Sequence, residues 1–199
     1  MDRAIFTRDR YLRGRHRWLV STSFSPDGKT IATAGEDGIA RLWDLSGEPI
    51  AQLKGHSSWI LHVSFSPDGT KVATAGEDGT ARLWDRSGKP LAQLNGHWGS
   101  VASVSFSPDG KQLATAGEDG TARLWDLSGR QLAQFNTRQT QLRSVEFSQD
   151  GKALFTVGET GKIQQWHLAD LDELLTQGCN WLQEYRASHP LAKSRDLCG

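Results

Sequence analysis

Two histidines sit in matching surroundings. His56 is followed by Thr74 and Asp78, and His97 by Thr115 and Asp119, so an imidazole, a hydroxyl and a carboxylate recur at one spacing. Such a set is what nucleophilic catalysis uses, with a base to take the hydroxyl proton and an acid to hold the base. Its duplication argues against that use, because a catalytic constellation is rarely repeated at a fixed interval along one chain. The other common chemical signatures are missing from the sequence: no Gly-rich phosphate loop ending in Lys-Ser/Thr, no His-Glu-x-x-His and no paired cysteines. Cys179 and Cys198 lie late in the chain without metal-ligand spacing; they read as two thiols in a reducing compartment, with a disulfide between them as the alternative. No metal or cofactor is expected.

The interval itself organises the chain. Trp43, Trp84, Trp125 and Trp166 are 41 residues apart, and so are Phe24, Phe65, Phe106 and Phe147. The stretch Gly76-Glu77-Asp78-Gly79-Thr80-Ala81-Arg82-Leu83-Trp84-Asp85 recurs almost unchanged from Gly35 and from Gly117, and decayed from Gly158. A fixed period of roughly 20 to 50 residues marks a repeat architecture whose units need neighbours to bury their faces. Within one period, Trp59 to Phe65 alternates as a strand, Ser66-Pro67-Asp68-Gly69 turns, and Lys71 to Ala75 is a second strand. Glu77-Asp78-Gly79 makes a tight hairpin to a third strand over Thr80 to Asp85, and Pro90 to Leu94 forms an outer strand that tolerates its proline. Four-stranded units without helices between them are expected to stack radially, and the glycines that recur are read as turn residues.

These motifs, in one register, make the chain resemble the WD-repeat β-propeller family. The resemblance covers about residues 8 to 169 and implies an all-β fold of four repeats, at about 8–46, 47–87, 88–128 and 129–169. It also implies a role for the polar set: in this family the matching positions form a hydrogen-bond chain from Trp through Thr and His to Asp. Here those are His56, Thr74, Asp78 and Trp84, then His97, Thr115, Asp119 and Trp125, with Thr33, Asp37 and Trp43 kept in the first repeat. Arg15 and Arg138 hold the histidine register in the first and fourth repeats, and Thr160 replaces the aspartate in the fourth, so the end repeats should be the less stable ones. Arg41, Arg82 and Arg123 are expected to pair with a neighbouring carboxylate.

Residues 170–199 change character. Leu171, Leu174, Leu175, Cys179, Leu182 and Tyr185 fall at helical spacing, with Asp170 and Glu173 as a capping pair, Gly178 and Asn180 between two short helices, and Pro190 as a stop. This tail is similar to the end of bacterial, particularly cyanobacterial, WD-repeat proteins. It is expected to cap exposed apolar surface, or to act as a docking helix through Trp181 and Tyr185.

The function the resemblance implies is a non-catalytic protein-protein interaction scaffold. Differences between repeats concentrate after Gly-His, where the family presents side chains to partners; those slots hold Trp18, Trp59 and Trp98. They serve as partner anchors or as packing between blades. Glu36, Glu77, Glu118 and Glu159 precede each turn; they form an acidic ring suited to a basic peptide, or are turn residues copied by duplication. Lys plus Arg and Asp plus Glu balance at 23 each, which favours neither nucleic acid nor an anionic membrane, and the six arginines among residues 1–17 read as decoration of an outer strand. No apolar signal or spanning segment is seen, so a cytoplasmic location is expected. Four repeats leave three arrangements open: a closed four-bladed ring, two chains completing a larger ring, or a fragment of a longer multidomain protein linked to an NTPase or protease. An enzyme using the central funnel is a rival, but it would need a non-repeated titratable cluster there, and the sequence shows none.

Overall fold

The computed structural model describes residues 18–168, which contain strands and no helix. The outer strand expected over residues 11–14 and the helical tail expected over 170–199 lie outside the described residues.

The first sheet contains β1 (Leu19–Phe24), β2 (Thr30–Gly35), β3 (Ile39–Asp44) and β4 (Pro49–Lys54) in antiparallel order. The second contains β5 (Ile60–Phe65), β6 (Lys71–Gly76), β7 (Thr80–Asp85) and β8 (Pro90–Asn95). The third contains β9 (Val101–Phe106), β10 (Gln112–Gly117), β11 (Thr121–Asp126) and β12 (Gln131–Asn136). The fourth has three strands among the described residues: β13 (Leu142–Phe147), β14 (Ala153–Gly158) and β15 (Ile163–His167). Each of the first three sheets straddles two sequence repeats. β4, at the start of the second repeat, is hydrogen-bonded to β3 at the end of the first, so neighbouring repeats are tied by backbone bonds as well as by packing.

Three turns of different chemistry join the strands. In the first, Ser66 Oγ donates to Asp68 Oδ1 at 2.6 Å and accepts from the Lys71 N–H at 2.9 Å, while Gly69 takes φ +67°. The Ser66 hydroxyl and Thr70 N–H hold the Asp68 pKa down to about 2. The second is the Asp-Gly hairpin, closed by the Gly79 N–H to the Gly76 carbonyl at 3.3 Å. In the third, Asp85 Oδ1 accepts from the Ser87 N–H, Ser87 Oγ and the Lys89 N–H. The aspartate after Trp84 thus locks the following turn, and Asp44 and Asp126 do the same after Trp43 and Trp125.

The core lies between sheets, not within them. Ala32, Ala34, Ala40 and Leu42 of the first sheet pack on Ile60, Val63, Phe65, Val72 and Trp84 of the second. Ala73, Ala75, Ala81 and Leu83 of the second pack on Val101, Val104, Phe106, Leu113 and Trp125 of the third. A flat alanine face therefore receives a bulky one, and this alternation closes the gap between sheets. The inner strands are also latched by hydrogen bonds. The N–H groups of Val63, Val104 and Val145 donate to Ser21 Oγ, His62 Nδ1 and Ser103 Oγ of the preceding sheet, at 3.2, 3.4 and 3.4 Å. The β5–β6 register shifts between Ile60 and His62, whose ring faces the third sheet and accepts there from Val104.

The bulky face of the first sheet is open. Leu19 is 46 % and Phe24 63 % exposed, whereas their counterparts Ile60 and Phe65 are 0 % and 7 %.

Candidate functional site

β6, β7 and the loop after β4 bring the polar set together. Trp84 Nε1–H donates to Thr74 Oγ1 at 2.9 Å, the Thr74 oxygen lies 2.8 Å from His56 Nε2, and His56 Nδ1 lies 2.9 Å from Asp78 Oδ2. With Nδ1–H donated to the carboxylate, Nε2 accepts the threonine proton, so the chain runs in one direction from indole and hydroxyl to imidazole and acid. The third sheet repeats it: Trp125 to Thr115 at 2.9 Å, Thr115 to His97 at 2.7 Å, and His97 to Asp119 at 3.1 Å. Thr74 and Thr115 are fully buried, and each hydroxyl already has two partners. A hydroxyl so placed has no path to a substrate, so the triad-like set works as a brace.

The same aspartates position the loop beyond the histidine. Asp78 Oδ2 accepts from the Ser57 N–H, and Asp119 Oδ2 from the Trp98 N–H, both at 3.0 Å. Burial opposes the Asp119 charge, yet the Trp98 N–H, the Thr121 hydroxyl and N–H and the His97 charge bring its pKa down to about 2. Trp98 is thereby aimed outward from a fixed backbone and is 86 % exposed. Trp18 and Trp59 are exposed as well, and their carbonyls accept from the Glu36 and Glu77 N–H groups at 3.3 and 2.9 Å. The Glu118 N–H pairs with Ser100, and Glu159 with Gln141, so each glutamate stands beside one of the variable loops. Glu77 also accepts from Ser58 Oγ at 2.5 Å, and Glu159 pairs with Arg143 at 3.2 Å.

In the first sheet Trp43 donates to Thr33 at 2.8 Å, and Asp37 pairs with Arg41 at 2.6 Å. Arg123 similarly meets Asp119 at 3.4 Å. Arg82 departs from the expected carboxylate pairing: its Nε is buried without a hydrogen-bond partner, and its charge acts on His56. In the fourth sheet Trp166 still donates to Thr156, at 3.1 Å. There Gln139, one residue beyond the expected Arg138, lies over Gly158 as His56 and His97 lie over Gly76 and Gly117. Each of these three glycines opens a hairpin turn and also makes room for a side chain, because a Cβ at any of them would strike the side chain laid on it. The reading of recurrent glycines as turn residues holds for the positive-φ set and gives only half the role of these three.

One non-repeated titratable pair escapes the sequence reading. Repeats one, three and four carry Ser21, Ser103 and Ser144 where the second has His62, and repeats one to three carry Ser23, Ser64 and Ser105 where the fourth has Glu146. Ser105 Oγ donates to Glu146 at 2.9 Å, and the Glu146 charge partly offsets the lowering of the His62 pKa by burial. Subtracting the repeat from itself is the signal that would have found them. Among the described residues no cluster of three or more His, Cys, Asp and Glu could hold a metal ion.

Burial lowers the pKa of His56, His97 and His62 below the usual 6.5, with neighbouring carboxylates only partly offsetting it. The unfolded chain therefore takes up these protons first as pH falls. Stability should be complete above 6.5 and decline steadily below it, with a second loss below 3.8 as Asp78 and Asp119 protonate. Urea midpoints measured from pH 8 to pH 3 should show both descents, and a flat profile between pH 7 and 5 would contradict the buried neutral imidazoles.

Four antiparallel sheets, packed face on face and latched through their innermost strands, define a β-propeller with WD-type braces. Residues 12–178 match the family model described as IFT122 first beta-propeller, and the chain belongs to that β-propeller family. No curated protein matches it.

Proposed function

We propose that the chain is a non-catalytic interaction scaffold whose post-histidine loops bind a basic peptide or protein segment. β-Propellers with this construction are consistent with a protein-interaction role. One observation carries the finer reading: exposed Trp18, Trp59 and Trp98 each stand on a loop backbone-paired to a turn glutamate, Glu36, Glu77 and Glu118. An aromatic face beside a carboxylate suits a lysine or arginine side chain, which gains cation–π contact and charge pairing together. The likeness of residues 170–199 to the ends of bacterial WD-repeat chains supports a bacterial scaffold, which we take to be cytoplasmic, with the repeats at the bounds given above. A fluorescein-labelled peptide of alternating lysine and glycine should bind, and Trp98→Ala should weaken it by about tenfold or more. Equal binding by wild type, Trp98→Ala and Glu118→Gln would reject the reading.

Pairing with a second copy is the companion reading, favoured by the open face at Leu19 and Phe24. The opposite end of the stack is also unusual. Phe155, Val157 and Ile163 stand where the first three sheets have alanine, and Ile163 is 66 % exposed. Joining these two faces would bury both. Light scattering should give the mass of two chains, falling to one in Phe24→Asp, and a wild-type monomer at every concentration would exclude pairing.

A further inference from the structure

In the second and third sheets one carboxylate gathers four donors. Asp78 accepts from His56 Nδ1, the Ser57 N–H, the Thr80 N–H and Thr80 Oγ1, at 2.9, 3.0, 3.1 and 2.7 Å. Asp119 does the same with His97, Trp98 and Thr121. In the fourth sheet the aspartate register belongs to Thr160, which is shorter in acceptor reach and uncharged. Around it lies a cavity of about 260 Å³ lined by Arg138, Gln139, Thr140, Glu159, Thr160 and Lys162 among others.

The amide of Gln139 occupies the imidazole position over Gly158, and both its Oε1 and Nε2 are buried without a hydrogen-bond partner. Buried polar atoms of this kind are rare and costly, and an amide left so gains by finding a partner. The local charge gives the sign of what it is. Arg138 and Lys162 border the cavity, while the carboxylate of Glu159 is engaged by Arg143 at 3.2 Å. The positive side chains outnumber the negative, with a buried amide donor between them.

We propose that this cavity binds a carboxylate from a partner, which takes the position that Asp78 and Asp119 fill in the second and third sheets. On binding, the Gln139 amide turns out from over Gly158, where it is closed to solvent, so that Nε2 and Thr160 Oγ1 donate to the incoming oxygens, and Arg138 and Lys162 supply the counter-charge. The chemistry fits either an Asp or Glu side chain or a peptide's terminal carboxylate. It does not depend on the basic-peptide reading, since it uses a different sheet and the opposite charge.

Titration of the ¹⁵N-labelled full chain tests this, with the Gln139 side-chain amide as reporter, assigned by its loss in Gln139→Leu. Three acetylated glycine-based pentapeptides are compared: one with a free C-terminus, one with a central glutamate and an amidated end, and an amidated control with central glutamine. Saturable shifts of the Gln139 amide with a carboxylate peptide and not with the control are expected, and the responding peptide identifies the source. Thr160→Asp supplies an internal carboxylate, so it should weaken that response by about tenfold or more and raise the melting temperature. Silence with both carboxylate peptides, an equal shift with the control, or an undiminished response in Thr160→Asp would overturn the proposal.

Discussion

Thr74→Val should lower stability by about 2–4 kcal/mol although it removes only a hydroxyl of nearly unchanged shape. The Trp84 indole N–H loses its acceptor and His56 Nε2 loses its donor, and both groups sit in the buried part of the second sheet. Neither can turn to water, so the full desolvation of two polar groups is left uncompensated. Thr156→Val in the fourth sheet provides the control. Thr156 is equally buried, but it accepts only from the half-buried Trp166 indole, and its hydroxyl donates to the Gln164 carbonyl at 3.4 Å, not to a histidine. Its loss should therefore be about 1 kcal/mol. Urea midpoints at pH 7.5 with an unchanged slope separate the two, and equal losses would show that the imidazole and carboxylate add nothing to the brace.

Why the brace was legible and its surroundings were not follows from where each kind of information resides. The order of strands and turns is local: Ser66-Pro67-Asp68-Gly69 and Asp78-Gly79 dictate their own conformation, and a period of 41 copies it along the chain. The His56–Thr74–Asp78–Trp84 contacts are confined to one sheet and the loop leading into it, so resemblance carried them residue by residue. What lies between sheets was hidden. His62 meets the Val104 N–H 42 residues on, and Glu146 meets Ser105 41 residues back, contacts that exist only once the sheets are stacked. Gln139 in place of Arg138 is a one-residue slip within a loop, which register counting cannot see because loops do not conserve spacing as strands do. The second role of Gly76, beyond its turn, was hidden for a similar reason. Its small size serves the imidazole above it, and that imidazole comes from another part of the repeat.

Trp125→Ala should have the other large effect, about 3–5 kcal/mol, and should also change the form of unfolding. The indole is 1 % exposed and belongs to the cluster formed by Ala73, Ala75 and Ala81 of the second sheet with Val101, Val104 and Leu113 of its own. Alanine opposite the ring is what makes room for it, and these short side chains cannot fill the space after truncation. The Thr115 hydroxyl, which goes on to His97, loses its own donor in the same step. Each sheet gains most of its burial from the next, as in other linear arrays, so weakening the contact between the second and third sheets divides the cooperative unit there. Calorimetry should show the wild-type transition broaden or split, and hydrogen exchange should report lower protection in β9 to β11 than in β2 and β3. A single sharp transition, shifted only slightly, would mean that the backbone latches at Val63, Val104 and Val145 suffice to hold the stack without the indole.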